Sequence, residues 1–228
     1  MNRVVLILLA VGLLGLVSFS DAQLRLSATD PSALTVARLR YTGGGDWYWG
    51  RSALPNLHEF LARNTNIAVE DKEVNVQATD PELFNYPFLF LTGHGNIKLT
   101  DQEVTALRDY LISGGFLFAN DSYGLMAAFK REMKRVFPEK ELVELPFDHE
   151  IFHEPFKFPN GLPKIHEHDG KPPQGFGIFW EDRLVVFFDY ESDIGDGWED
   201  YEVHHDPPEK HLAALRFSAN LITYAMTH

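Results

Sequence analysis

The stretch from Pro87 to Gly124, PFLFLTGHGNIKLTDQEVTALRDYLISGGFLFANDSYG, restricts this chain to few architectures. Phe88 to Leu91 is continuously apolar, as a strand covered on both faces must be, and it opens into the polar turn Gly93-His94-Gly95-Asn96. Thr100 and Glu103 stand at capping-box spacing, and Val104, Leu107 and Leu111 follow at helical spacing until Gly114-Gly115. Phe116 to Ala119 repeats the apolar run, and Asn120-Asp121-Ser122-Tyr123-Gly124 turns into a second helix. The unit is β-α-β-α. Such crossovers are right-handed and join parallel strands in nearly all cases, so the His94 turn and the Asn120–Ser122 turn are predicted on the carboxyl edge of one sheet.

The rest of the chain extends that unit. Val36 to Tyr41 reads as the first strand, followed by the glycine run 43–45 feeding Asp46 and the aromatics Trp47, Tyr48 and Trp49. Leu54, Leu57, Phe60 and Leu61 mark a helix, and 67–69 and 74–76 are short strand candidates. Leu125, Phe129, Met133 and Val136 repeat at helical spacing until Pro138. Residues 145–177 are rich in proline and histidine without a clean period and read as long loops. Phe176 to Trp180 and Arg183 to Asp189 flank Glu181-Asp182 as a hairpin, and a last helix starts at Pro207-Pro208.

At 228 residues with 45% hydrophobic content, the chain is long enough to bury one substantial core. Arg3, the apolar run Val4 to Val17 and the small residues Ser20 and Ala22 read as a signal peptide over 1–22, which predicts export to the periplasm or medium. The run is shorter than a bilayer span needs, so no stable membrane insertion is expected after cleavage, an uncleaved anchor being the alternative. Residues 23–33 then form an arm, and 34–228 form a single α/β domain. A net charge of −13 argues against a nucleic-acid partner, because phosphate binding needs clustered Lys and Arg. Cysteine is absent, which excludes disulfides and a thiolate nucleophile.

The segments YTGGGDWY (41–48), FLFLTGHG (88–95), LRDYLISGGFLFANDS (107–122), FDHEIF (147–152) and RFSANLITYAMT (216–227) together resemble the exported domain-of-unknown-function family 4159. That family is similar to the class I glutamine-amidotransferase-like superfamily. The resemblance implies a three-layer αβα, flavodoxin-like parallel sheet, here with a small hairpin and loop extension, and no assigned reaction. In amidotransferases the turn after the equivalent strand carries a catalytic cysteine. Asn120-Asp121-Ser122 stands there instead, so amidotransferase activity is not expected.

Three chemistries remain open. Ser122 on a strand-to-helix turn is a candidate nucleophile with Asp121 beside it and His94 as base, although a nucleophile elbow wants glycine where Asn120 stands. The plainer reading of Asp121 and Ser122 is a helix cap. Gly43, Gly44, Gly45, Asp46, Trp47, Tyr48, Gly93, Gly95 and Asn120 line the expected depression and suit a flat or sugar-like ligand by aromatic stacking. Among ten histidines, His149, His166, His168, His204 and His205 are metal candidates without diagnostic spacing, and Asp189, Asp193 and Asp196 miss the EF-hand pattern and read as a solvated loop. No cofactor is predicted. The resulting expectation is a non-catalytic ligand-binding or scaffold module for a small molecule, carbohydrate or protein partner; a cysteine-free hydrolase and a metal-dependent enzyme are the alternatives.

Overall fold

The computed structural model describes residues 33–228. The expected signal segment at 1–22, and all of the 23–33 arm but its last residue, lie outside the described residues. Seven strands form one sheet in the order β2-β1-β3-β4-β7-β6-β5. β1 (Val36–Arg40), β2 (Val74–Gln77), β3 (Phe88–Leu91), β4 (Phe116–Asn120) and β7 (Arg183–Tyr190) run parallel, while β6 (Gln174–Trp180) and the two-residue β5 (Val143–Glu144) are antiparallel additions. The hairpin read at 176–189 is therefore not an appendage. Its second strand β7 lies beside β4 in the main sheet, and Glu181 and Asp182 both take positive φ, as a two-residue turn matching strand twist requires.

Alternation along the strands builds the three layers. Phe88, Phe90, Phe116, Phe118 and Phe187 face one side, where they pack with α1 (Ala53–Asn64), α5 (Pro208–Thr227) and the buried Trp198. Leu89, Leu91, Leu117, Ala119 and Phe188 face the other, under α2 (Asp101–Ile112) and α3 (Met126–Val136). The in-register pair Phe88 and Phe116 stacks at 5.3 Å between ring centres, so the strands are locked by aromatic contact as well as by the ladder. The capping box expected at Thr100 and Glu103 forms, both hydrogen bonds being present. No helix among the described residues is long and apolar enough to cross a membrane.

Glu132 on α3 ties this helix to the strand loops. Its carboxylate is buried, accepting Leu99 N–H at 3.2 Å and Arg131 Nε–H at 2.8 Å, with Arg135 also donating to it. Burial alone would raise its pKa, but Arg131, the Leu99 amide and Arg135 together hold it below the usual carboxylate range. A depressed pKa in the fold means stabilisation that is present above the unfolded pKa and lost as pH falls. Glu132→Gln is expected to cost about 1.5–3 kcal/mol at neutral pH. Thermal melts should show that deficit shrinking below about pH 4, where the wild-type carboxylate is itself protonated.

Candidate functional site

The chain leaves β1 toward β2 on one side and β3 toward β4 on the other, so the loops after β1 and β3 diverge and leave a crevice at the carboxyl edge. Asp46 and His94 meet across it. The His94 amide donates to Asp46 Oδ1 at 2.6 Å, and His94 Nδ1 lies 2.9 Å from Oδ2. An Nδ1–H donor to a carboxylate leaves the lone pair of the neutral ring on Nε2. Burial would raise the Asp46 pKa, but the His94 donors outweigh it and hold the carboxylate below its ordinary range.

Close loop-on-loop packing explains the glycines. A Cβ on Gly93, at φ +140°, would lie 2.2 Å from Tyr41 Oη, which donates to Thr92 O at 2.9 Å. A Cβ on Gly43 would lie 2.5 Å from the Lys98 amide, whose N–H donates to Thr42 O. The glycine run thus lets two backbones touch rather than cradling a phosphate. Beneath it, the fully buried Arg38 donates to the carbonyls of Trp49 and, at 2.8 Å, Gly50, with Glu73 3.3 Å from Nε. Those bonds shape the aromatic loop. Tyr48 is 65% exposed and Trp49 37%, and the Trp49 ring stands edge-on to His94 at 5.5 Å.

Asn120, at the end of β4, is wholly buried. Its amide donates to Thr92 Oγ1 (3.1 Å), Ser122 Oγ (3.1 Å) and Asp193 Oδ1 (3.0 Å), while Gly195 N–H donates to its carbonyl oxygen. Ser122 in turn donates to Asp196 Oδ1 at 3.2 Å, which leaves Thr92 to donate across the 3.1 Å contact with Ser122. Ser122 is buried, and no hydrogen bond joins it to His94 among the described residues. Asp121 accepts Leu125 N–H at 2.7 Å just ahead of α3, whose N-cap is Leu125 itself and has no side-chain cap bond.

The loop after β7 supplies what the sequence reading placed in solvent. Residues 191–199 are all buried, and Asp193, Asp196 and Glu199 project among imidazoles. Asp193 Oδ2 lies 2.6 Å from His166 Nδ1 and 3.6 Å from His168 Nε2, and the other His166 nitrogen lies 2.9 Å from Asp206. His204 Nε2 lies 3.2 Å from Glu199 and 3.8 Å from Asp196, with its ring 4.7 Å from that of His166. Trp49 Nε1–H donates to Asp196 at 3.1 Å. Burial works against the charged form of His166, but Asp193 and Asp206 outweigh it and push its pKa up to about 9. Burial, with Asp193 and Glu199 nearby, pushes Asp196 up to about 7. The wholly buried Asp189 stays well above the carboxylate range although the Asp121 and Ile194 amides donate to it.

The structure therefore gathers Gly43, Gly45, Asp46, Gly93, His94, Asn120, Asp121 and Ser122 at one edge, with Tyr48 outermost and Trp47 half-buried behind it. Gly44 and Gly95 have open space around their Cα atoms. His166, His168 and His204 converge, whereas His149 packs between Phe179 and Tyr224 and His205 ends α4 (Tyr201–His204) beside Tyr201, outside the cluster. Arg38, Tyr41, Thr92 and Glu199 were not anticipated. The available signal was the acidic run 189–199, which follows a buried strand without a single Lys or Arg.

Burial raises the Asp121 pKa to about 6, above that of an unfolded aspartate. The fold then holds the proton more tightly, so this stabilisation is complete below about pH 4 and lost as pH rises through the folded value. Asp121→Asn, which keeps an oxygen for Leu125, should gain on wild type by on the order of 2–3 kcal/mol between those limits. Melting curves at pH 4 and pH 7 measure the crossover. Ser122→Ala is expected to cost about 1–3 kcal/mol at both, because it removes the donor to the buried Asp196 Oδ1.

A search of curated proteins finds no match to the chain. The family model described as Domain of unknown function (DUF4159) matches residues 35–226, nearly all of the described fold. With that match spanning most of its length, the chain belongs to the DUF4159 family.

Proposed function

We propose that this protein is a non-catalytic binding module, exported from the cytoplasm, that recognises a carbohydrate or a similarly flat, hydroxyl-bearing ligand at the crevice between β1 and β3. The observation that carries the reading is the exposed rings of Tyr48 and Trp49 on one loop, the Trp49 ring standing edge-on to His94 of the Asp46–His94 pair. Aromatic faces favour the apolar face of a sugar, and His94 Nε2 offers an acceptor for its hydroxyls. Support for export comes from the Arg3 to Ala22 segment. Support for descent from an amidotransferase-like domain comes from the parallel strand order and the strand–turn–helix at Asn120–Ser122, where the cysteine of that chemistry is missing.

The hydrolase reading has less behind it. Ser122 is enclosed, its hydroxyl is committed to Asp196, and His94 is committed to Asp46. Titration of the mature protein with a panel of mono- and oligosaccharides, followed by tryptophan emission, tests the binding reading. Saturable binding is expected, weakened about 3- to 10-fold by Tyr48→Ala, which removes one stacking ring. Turnover of ester, amide or glycoside substrates that Ser122→Ala abolishes would overturn it in favour of the hydrolase.

A further inference from the structure

The buried cluster behind the crevice has the composition of a metal site. His166, Asp193 and Asp196 each present a ligand atom, all within 4.8 Å of one another. That spread suits donors arranged around one ion at about 2.0–2.2 Å from each. His204 Nε2 lies outside that group, 3.8 Å from Asp196 and 3.2 Å from Glu199, and would leave Glu199 to add a second imidazole to the donors. The donors come from three separate segments, 166, 193–196 and 204, which is why no local spacing betrays them.

Two further observations separate this group from an ordinary acidic cluster. The surrounding residues hold the donors in the manner of a ligand set: Asp206 takes the far nitrogen of His166 at 2.9 Å, Asn120 donates to Asp193 at 3.0 Å, and Ser122 and Trp49 donate to Asp196 at 3.2 and 3.1 Å. A carboxylate on the outer nitrogen fixes an imidazole's tautomer and aims its other nitrogen inward. The second observation is that no Lys or Arg among the described residues forms an ion pair with Asp193 or Asp196. Asp193 and Asp196 are 2% and 4% exposed, and the nearby Arg38 spends its guanidinium on the carbonyls of Trp49 and Gly50 and on Glu73. Two adjacent buried carboxylates need positive charge, which here only imidazolium or a bound cation supplies. A cavity of about 390 Å³ between α1 and the start of α5 is lined by Glu199 and Asp206, the carboxylates that face His204 and His166.

We propose that His166, Asp193, Asp196 and His204 bind one divalent transition ion of the Zn²⁺ type. The mixed imidazole–carboxylate set favours such an ion over Ca²⁺ or Mg²⁺, which take oxygen donors. On binding, the ion replaces the proton on His166 Nδ1, which leaves to solvent, while Nε2–H stays on Asp206. Asp206 is a positioning residue.

The test is titration of the metal-stripped mature protein with Zn²⁺ and Co²⁺, read by calorimetry, by the Co²⁺ absorption spectrum and by melting temperature, with Ca²⁺ and Mg²⁺ alongside. One equivalent of Zn²⁺ should bind and raise the melting temperature. Asp193→Asn should abolish both effects, and Asp206→Asn should weaken binding about 10- to 100-fold while leaving the stoichiometry at one. Should Asp193→Asn fail to fold, Asp196→Asn and His204→Ala carry the same expectation. No Zn²⁺ or Co²⁺ binding by the folded wild type, or binding undiminished in the folded variants, overturns the assignment.

Discussion

The carboxamide of Asn120 sits at the end of the central strand with no access to water, and both of its ends must find partners inside the protein. Its N–H groups reach the loop after β3 at Thr92, its own turn at Ser122, and the loop after β7 at Asp193; its oxygen takes the Gly195 amide from that same loop. One planar group thus fixes the relative positions of three loops. Aspartate there would supply no donors and would face Asp193, and an aliphatic side chain would leave the Gly195 amide and two hydroxyls without their partner. The geometry of the carboxyl edge follows from that requirement.

Trp49 connects the two halves of this edge. Its ring lies edge-on to His94 in the exposed crevice, and its indole N–H ends on Asp196 in the buried cluster. A side chain that is exposed on one rim and hydrogen-bonded to a buried carboxylate on the other couples what happens at the surface to the charge behind it. Arg38 sets its position from below by holding the Trp49 carbonyl.

The parallel core was legible because burial on both faces writes an unbroken apolar run, and FLFL and FLFA show it. The turns after those runs were legible as a site for the same topological reason. Less visible was the fate of the acidic loop. Asp189, Asp193 and Asp196 carry no local pattern that distinguishes a buried carboxylate from a solvated one: the Asp121 amide reaches Asp189, and His166, His168 and His204 reach Asp193 and Asp196, from other segments. The hairpin was found, but turn chemistry says nothing about which older strand its second arm will join. Glycine at 43 and 93 signalled tight approach without saying whether the neighbour would be a ligand or, as it proved, another loop.

The pairing of β4 with β7 brings Asn120 beside Asp189 across a long intervening stretch of chain. During synthesis, β4 therefore waits with one edge of its ladder open while the residues between 120 and 183 are added, and an open edge on an apolar strand invites wrong pairing. Docking of β7 closes that edge and delivers the acidic loop to Asn120 in the same event. Placement of the acidic loop against Asn120 and closure of this inner edge of the sheet thus depend on one strand pairing between segments far apart in sequence.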